Sequence, residues 1–370
     1  MLLVPDKFKG CLTAIDVCTE LRTGLLEGQS PVDVVLRPMG DGGDGTLDAA
    51  LASGFQPLEI DAAGPLAERR SARIGVRGST ALIELAEICG LARLPGGQVR
   101  PMEATTYGVG LAMRAAIEHG YRDLVVGVGG SASTDGGMGV AAALGARILD
   151  RADRPVRPCG AGLAEVASVD FELMLALLDG VTILVATDVD SPLTGEHGAA
   201  QVFGPQKGAS ADQIVELETG LNAWAAQLQT VAGVDVRAMP AAGAAGGFLA
   251  PFLATNSVRV VSGARFVLEL TGTEQAIADA DVVVTGEGRW DSQTSAGKGP
   301  HVVVEAARAA GKSVIAVAGS FSGDPDLSRV DTTYSLTDLA GRDRDPVRDA
   351  RSLLREIGAR IAAEATPRTP

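Results

Sequence analysis

Residues 56–79 read QPLEIDAAGPLAERRSARIGVRGS. In and just beyond this stretch, the short alternating segments Leu58–Asp61, Ala72–Val76 and Ala81–Glu84 are separated by Gly64-Pro65 and Gly78-Ser79. Alternation at a period of two, broken by turn formers, predicts hairpin-like antiparallel strands. The flanks read differently. Leu2–Val4, Val32–Leu36, Leu124–Val128, Val181–Ala186, Asp281–Val284 and Val314–Val317 are short, nearly continuous apolar runs. Such runs suit parallel strands buried on both faces. Helical patterns alternate with them: Ala14–Glu27 behind Thr13 as N-cap, Gly45–Leu51, Pro300–Ala310 with Gly311 as stop signal, and Pro346–Glu364.

Both ends of the chain are therefore βαβα, while the middle opens antiparallel. An insertion explains this better than two domains in series. The expected fold is α/β. Residues 1–56 and 276–370 make one discontinuous domain, a five-stranded doubly wound sheet whose last three strands lie near Val282, Val314 and Asp331–Leu336. Residues 57–275 make a second, inserted α/β domain.

The whole-chain numbers agree with two domains. The chain's 370 residues, 46% of them hydrophobic, are more than one compact domain usually holds. Gly is abundant at 47 and aromatics scarce at 4%, which favours tight strand–helix turns over a base-stacking surface. The net charge of −14 repels phosphate backbones and anionic lipids, so nucleic acid and membrane are poor partners and small molecules are expected instead. An anionic substrate would need cations concentrated at one site. Cys11, Cys18, Cys89 and Cys159 form no CxxC pair, and a reducing, cytoplasmic compartment is expected. The apolar start Met1–Val4 stops at Pro5-Asp6-Lys7, so no signal peptide is expected, and no run has the length of a membrane span. A homodimer is left open.

Candidate chemistry gathers where strands end. In open α/β sheets ligands sit at the carboxyl ends of the strands. The first strand runs into Pro5-Asp6-Lys7-Phe8-Lys9-Gly10, where Asp6 and Lys9 are placed to meet an anion; an ordinary solvated loop is the bland alternative. The second runs into Gly40-Asp41-Gly42-Gly43-Asp44-Gly45-Thr46. Gly42 and Gly43 allow backbone N–H groups close to phosphate oxygens, and Asp41 could orient a cation or a hydroxyl. A glycine-rich turn with capping aspartates reads equally well.

A third loop, Gly127–Gly137 (GVGGSASTDGG), contains Gly130, Ser131, Ser133 and Asp135. Gly127, Gly129 and Ala132 match the GxGxxG/A dinucleotide fingerprint, with Asp150 roughly where its ribose acid should stand. That fingerprint needs a helix opening inside the motif, and turn formers from Ser133 to Gly137 push the helix start to about Met138. Further on come Asp188 after an apolar run, Lys207 in Phe203–Gly208 (FGPQKG), Gly246 in Gly243–Gly247 (GAAGG), and Glu287, Arg289 and Asp291 in Thr285–Thr294. Gly297-Lys298 is not a Walker A motif, because position 292 is Ser. Each loop alone has a structural reading as a cap or turn. Together, Gly, Asp or Glu, Lys, and Ser or Thr recur at strand ends in both expected domains. These are the types a triphosphate, a divalent cation and an acidic substrate require.

Several segments resemble the type I glycerate kinase family: PDKFKG at 5–10, GDGGDGT at 40–46, GVGGSASTDGGMG at 127–139, ATDVDSPLTG at 186–195, FGPQKGAS at 203–210, GAAGG at 243–247 and VVTGEGRWDSQT at 283–294. They come in the family's order and spacing. Lys7 departs from it, since the family more often has Ser there, and Lys7 is given no role. The resemblance implies a flavodoxin-like domain carrying a second α/β domain, with the active site in the cleft between them. It also implies transfer of the ATP γ-phosphate to D-glycerate, most often at the 2-hydroxyl, giving 2-phosphoglycerate. Product phosphorylated at the 3-position is the near alternative, and an NAD-dependent hydroxy-acid dehydrogenase the distant one.

Within that reading Asp188 is the expected base for the substrate hydroxyl, with Mg²⁺ nearer Asp41 or Glu287; the reverse assignment, Asp188 on the metal and Asp41 as base, stays open. Lys9 and Lys207 are the expected counter-charges for phosphate or carboxylate.

Overall fold

The computed structural model describes residues 1–27, 32–40, 42–295 and 299–365. Among them run β1 (Leu2–Pro5), β2 (Val35–Leu36), β3 (Gln56–Ala63), β4 (Arg69–Arg77), β5 (Thr80–Glu84), β6 (Asp123–Gly127), β7 (Arg147–Leu149), β8 (Ser168–Asp170), β9 (Thr182–Ala186), β10 (Arg259–Val261), β11 (Val282–Trp290), β12 (Ser313–Phe321) and β13 (Thr332–Ser335). The chain divides into two compact α/β units. One comprises Met1–Asp41, Asp48–Ser53 and Ala264–Pro370, and the other Gly42–Leu47 and Gly54–Gly263. The expected boundaries at 57 and 275 differ from these chiefly in that Gly42–Leu47 belongs with the second unit and Ala264 onward with the first.

The first unit holds an all-parallel sheet in the order β13-β12-β11-β1-β2. Successive side chains of a strand point to opposite faces, and here both faces are covered. Leu3, Val284 and Val317 pack with Val17, Leu21 and Leu25 of the helix Ala14–Glu27 and with Leu353 and Ile357 of the helix Ala350–Ala365. Leu2, Val4, Val283 and Val314 pack on the other face with Leu268, Ile277 and Val303. Continuous apolar runs are the sequence trace of this double burial.

Three expectations shift in this unit. The apolar run Val32–Leu36 yields only the two residues Val35 and Leu36 as strand, an edge that pairs with Leu2 and Leu3 alone. Conversely, β11 and β12 outgrow their apolar runs, staying paired as far as Trp290 and Phe321. The final helix begins at Ala350, not Pro346. Before it, Asp345 accepts hydrogen bonds from Val347 N (2.8 Å) and Arg348 N (2.9 Å), and a side chain that satisfies local amides in this way favours a turn over a helix.

The helices Ala14–Glu27 and Ala350–Ala365 touch through backbone at Gly24, where a Cβ would lie 1.9 Å from Arg355 O. Beside this contact the buried Glu20 accepts from Arg351 Nη1 (2.8 Å) and Arg355 Nε (2.5 Å). Gly24→Ala gains about 1 kcal/mol in helix propensity but must push the two helices apart, and overpacking typically costs about 1–3 kcal/mol. The expected result is a net loss of thermal stability in the first unit; an unchanged or raised melting temperature would show that the helices separate without cost.

In the second unit β3 and β4 form an antiparallel hairpin in register from Gln56↔Val76 to Ala63↔Arg69. After β5 the pairing becomes parallel, giving a mixed six-stranded sheet β10-β9-β6-β5-β4-β3. Strands β7 and β8 make a separate antiparallel pair. Its core runs through Ile74, Ile83, Val126 and Val185 to Met113, Val140, Trp224 and Phe248. The long helix Ala211–Ala232 starts at a capping box between Ser210 and Gln213. All four cysteines are free thiols. Among the described residues no helix is long and apolar enough to cross a membrane.

Candidate active site

In the first unit the ends of β1 and β11 lie side by side, with Asp6 N donating to Gly286 O at 2.8 Å. Asp6 is nearly buried; its Oδ1 accepts from Lys7 N at 2.7 Å and lies 4.0 Å from Lys7 Nζ. Lys9 is exposed. On β11 the half-buried Glu287 accepts a 2.5 Å hydrogen bond from Thr294 Oγ1, which itself accepts from Asp291 N at 3.1 Å. Thr294 is fully buried, so it fixes one oxygen of Glu287. Arg289 is exposed, 3.5 Å from Asp291 and bonded through Nε to Ser322 Oγ at 3.0 Å. Asp41, Gly297 and Lys298 lie outside the described residues.

In the second unit β9 ends at Ala186 and Asp188 follows, exposed, its Oδ1 accepting from Ser262 Oγ (2.8 Å) and Gly263 N (3.0 Å). The turn after β10 thus holds the carboxylate in place. Gly42 and Gly43 are buried against the ends of β6 and β9. A Cβ on Gly42 would stand 2.7 Å from Ala186 O, and one on Gly127 2.6 Å from Gly42 O. Glycine is needed here for backbone to approach backbone.

The loop after β6 turns inward. Gly130 is exposed, but Ser131, Ser133, Thr134 and Asp135 are buried. The helix after it opens at Met138, behind left-handed Gly136 and Gly137. The dinucleotide fingerprint, which needs a helix start within the motif, is therefore not met.

This inward turn encloses four of the expected site residues. Asp135, expected at a ligand, is wholly buried; its Oδ2 accepts from Thr106 N (2.7 Å), Thr106 Oγ1 (2.8 Å), Thr105 Oγ1 (3.3 Å) and Gly139 N (3.2 Å), and its Oδ1 from Gly137 N (3.2 Å). Burial raises its pKa against those bonds. Lys207, expected to reach a phosphate, is equally buried and donates to Ser131 Oγ at 2.9 Å and to the Ser133 carbonyl. The Ser133 hydroxyl is enclosed without a partner among the described residues. Gly246 is also buried and accepts from Gly136 N at 2.9 Å. Trp224 Nε1 adds a bond to Gly136 O at 2.8 Å. Lys207, Asp135, Gly246 and Trp224 brace the loop from within. Polar type and loop position mark it in the sequence; that the segments 205–208 and 243–247 close over it is a tertiary fact.

Burial lowers the Lys207 pKa from 10.5 to about 7, against the opposing pull of the Asp135 charge. Folding then strips a proton from this lysine. The cost is absent above the unfolded value, grows as pH falls from about 10.5 towards about 7, and is constant below. Lys207→Met is expected to remove this part of the second unit's pH dependence, read from urea midpoints across that range. A midpoint profile parallel to wild type would show that Lys207 does not titrate there.

Two side chains that the motifs do not single out emerge. Thr294 orients Glu287. Glu84, the last residue of β5, is buried and accepts from Gly45 N (3.2 Å) and Leu47 N (2.8 Å). A carboxylate closing an otherwise apolar strand was the available signal for it.

Comparison with known proteins adds to this geometry. The model of the glycerate kinase family matches residues 1–366. A glycerate kinase of Haemophilus influenzae is 38% identical over 329 residues, 88% of this chain and 87% of that protein. The glycerate 2-kinase of Escherichia coli K12 is 35% identical across 98% of this chain and 97% of its own length. A crystal structure from Salmonella typhimurium LT2, provisionally described as a glycerate kinase 2, superposes with a TM-score of 0.82 at 35% identity, covering 98% of this chain and 97% of that one. On a match that runs from the first residue almost to the last, the chain belongs to the glycerate kinase family.

Proposed function

We propose that the chain is an ATP-dependent kinase that phosphorylates D-glycerate at the 2-hydroxyl, releasing ADP and 2-phosphoglycerate. The observation that carries this reading is the end-to-end match with proteins named glycerate kinase and glycerate 2-kinase. We read the first unit, with its parallel order β2-β1-β11-β12-β13 and helices on both faces, as a flavodoxin-like doubly wound domain. A cytoplasmic enzyme acting on small molecules fits the acidic chain and its four free thiols.

The residues present suit a Mg²⁺-nucleotide. Among the described residues no three His, Cys, Asp or Glu side chains gather to hold a metal by themselves. Mg²⁺ keeps waters and takes most other ligands from phosphates, needing only one or two carboxylates from protein. Glu287, oriented by Thr294, would hold the ion, with Asp41 as the second candidate. When bound, Mg²⁺-ATP supplies the phosphoryl group and neutralises part of its charge.

The chain's own side chains do the rest. Exposed Lys9 and Arg289 are the counter-charges for carboxylate and phosphate. Gly130, at the exposed tip of the braced loop, offers backbone N–H. Asp188 accepts the hydroxyl proton as the oxygen–phosphorus bond forms and the bond to ADP breaks; the proton becomes acidic only during that step, so a carboxylate suffices.

Incubation with D-glycerate, Mg²⁺ and ATP, followed by phosphorus NMR, tests the reading. The expected product is 2-phosphoglycerate. A 3-phosphate would revise the position, and absence of ADP release would remove the kinase assignment. Sedimentation of the same sample reads whether a homodimer forms.

A further inference from the structure

Three adjacent strand ends of the second unit converge on the loop Gly42–Leu47. Just after β6, Gly129 N donates to Gly42 O at 3.3 Å and a Cβ on Gly129 would lie 2.5 Å from Gly43 Cα; at the end of β9, a Cβ on Gly42 would lie 2.7 Å from Ala186 O. None of these contacts reaches the second half of the loop. There Leu47 packs against Gly75, and Glu84, a residue 3% exposed, accepts the backbone N–H of Gly45 at 3.2 Å and of Leu47 at 2.8 Å. Burying a carboxylate is costly unless donors replace its water, so the arrangement persists because both halves need each other. The amides belong to the start of the helix Thr46–Ala52, where N–H groups lack intrahelical partners.

We infer that Glu84 is a positioning residue for the phosphoryl transfer proposed above, holding the Gly42–Leu47 loop in register with the ends of β6 and β9. Glu84 touches the loop's backbone, and through it sets where Gly42, Gly43 and Asp44 stand. The inference rests on the kinase reading for its functional part, and the geometry of the anchor stands apart from it.

Glu84→Gln tests it. Gln offers one acceptor oxygen and turns an amide N–H₂ against one of the two backbone donors. The expected result is a folded protein whose Gly45 and Leu47 amides exchange with solvent at least tenfold faster than in wild type, while amides in β5 and β6 are unchanged. The KM for ATP should rise, or kcat fall, by about tenfold or more, with the KM for glycerate within about threefold. Glu84→Asp, which keeps both acceptor oxygens on a shorter arm, should recover part of the loss and serves as the second variant if the Gln form does not fold. Unchanged exchange at Gly45 and Leu47, or kinetics within twofold of wild type, would overturn the assignment. So would a uniform loss of protection across the unit, which marks a stability role. If wild type itself releases no ADP, the kinase reading fails, while the exchange comparison, made with and without Mg²⁺ and AMPPNP, still decides whether Glu84 orders the loop.

Discussion

Asp188→Asn is expected to fold like wild type, to bind ATP and glycerate with little change, and to lose about a hundredfold or more in kcat. The size follows from what a positioned general base typically contributes. Asn keeps an oxygen where Asp188 Oδ1 now accepts from Ser262 Oγ and Gly263 N. The anchoring bonds therefore survive while the negative charge is lost. Those same bonds support a second account, in which Asp188 merely ties the end of β9 to the turn after β10. The two accounts separate in the assay: a purely structural Asp188 would leave turnover within about tenfold, since the Asn side chain preserves the tie. Loss of nucleotide affinity with kcat maintained would move Asp188 to the metal and return the proton to another carboxylate. Asp41 is then the next residue to change.

A second large effect is expected from Asp135→Ala, and on stability. The carboxylate gathers the N–H groups of Thr106, Gly137 and Gly139 and the hydroxyls of Thr105 and Thr106 in a site closed to water. Removing it leaves those donors unsatisfied, each at about 1–3 kcal/mol, and removes the negative charge that partly offsets the burial of Lys207. The second unit should unfold at clearly lower urea concentration, with the first unit's transition unmoved. A shift below about 1 kcal/mol would mean that water or a rotated Thr106 replaces the carboxylate. Activity should fall as well, because the loop carrying Gly130 rests on this network.

These two aspartates show what the sequence carried. Asp188 and Asp135 both occur in loops after apolar strands, among glycines and hydroxyl residues, and by type and spacing they are equivalent candidates. One emerges exposed at a strand end and the other is sealed inside. The difference lies in what surrounds each carboxylate: Thr105 and Thr106, about thirty residues before Asp135 in the chain, close over it with Gly137 and Gly139, whereas Asp188 meets only the turn of Ser262 and Gly263 on one oxygen and stays exposed.

The strand and helix types were readable because burial writes itself into local pattern. Runs such as Val314–Val317 are apolar throughout because both sheet faces are covered, and the alternation in 56–79 marks a hairpin with one face inward. The opening of the helix at Met138 was readable too, since the turn formers before it exclude an earlier start. Strand ends were less so: β11 and β12 continue past their apolar cores, because backbone pairing needs no apolar side chain once a neighbour is in register. By itself, the sequence determined the α/β class, the switch from parallel to antiparallel near Gln56 and the family. Tertiary structure alone decided that Gly42–Leu47 packs with the second unit, that Lys207 is buried against Ser131 and Ser133, and that Glu84 and Thr294 hold other groups in place. The reason is physical: a charged side chain's role depends on whether water or protein donors surround it, and that is set by residues far away in the chain.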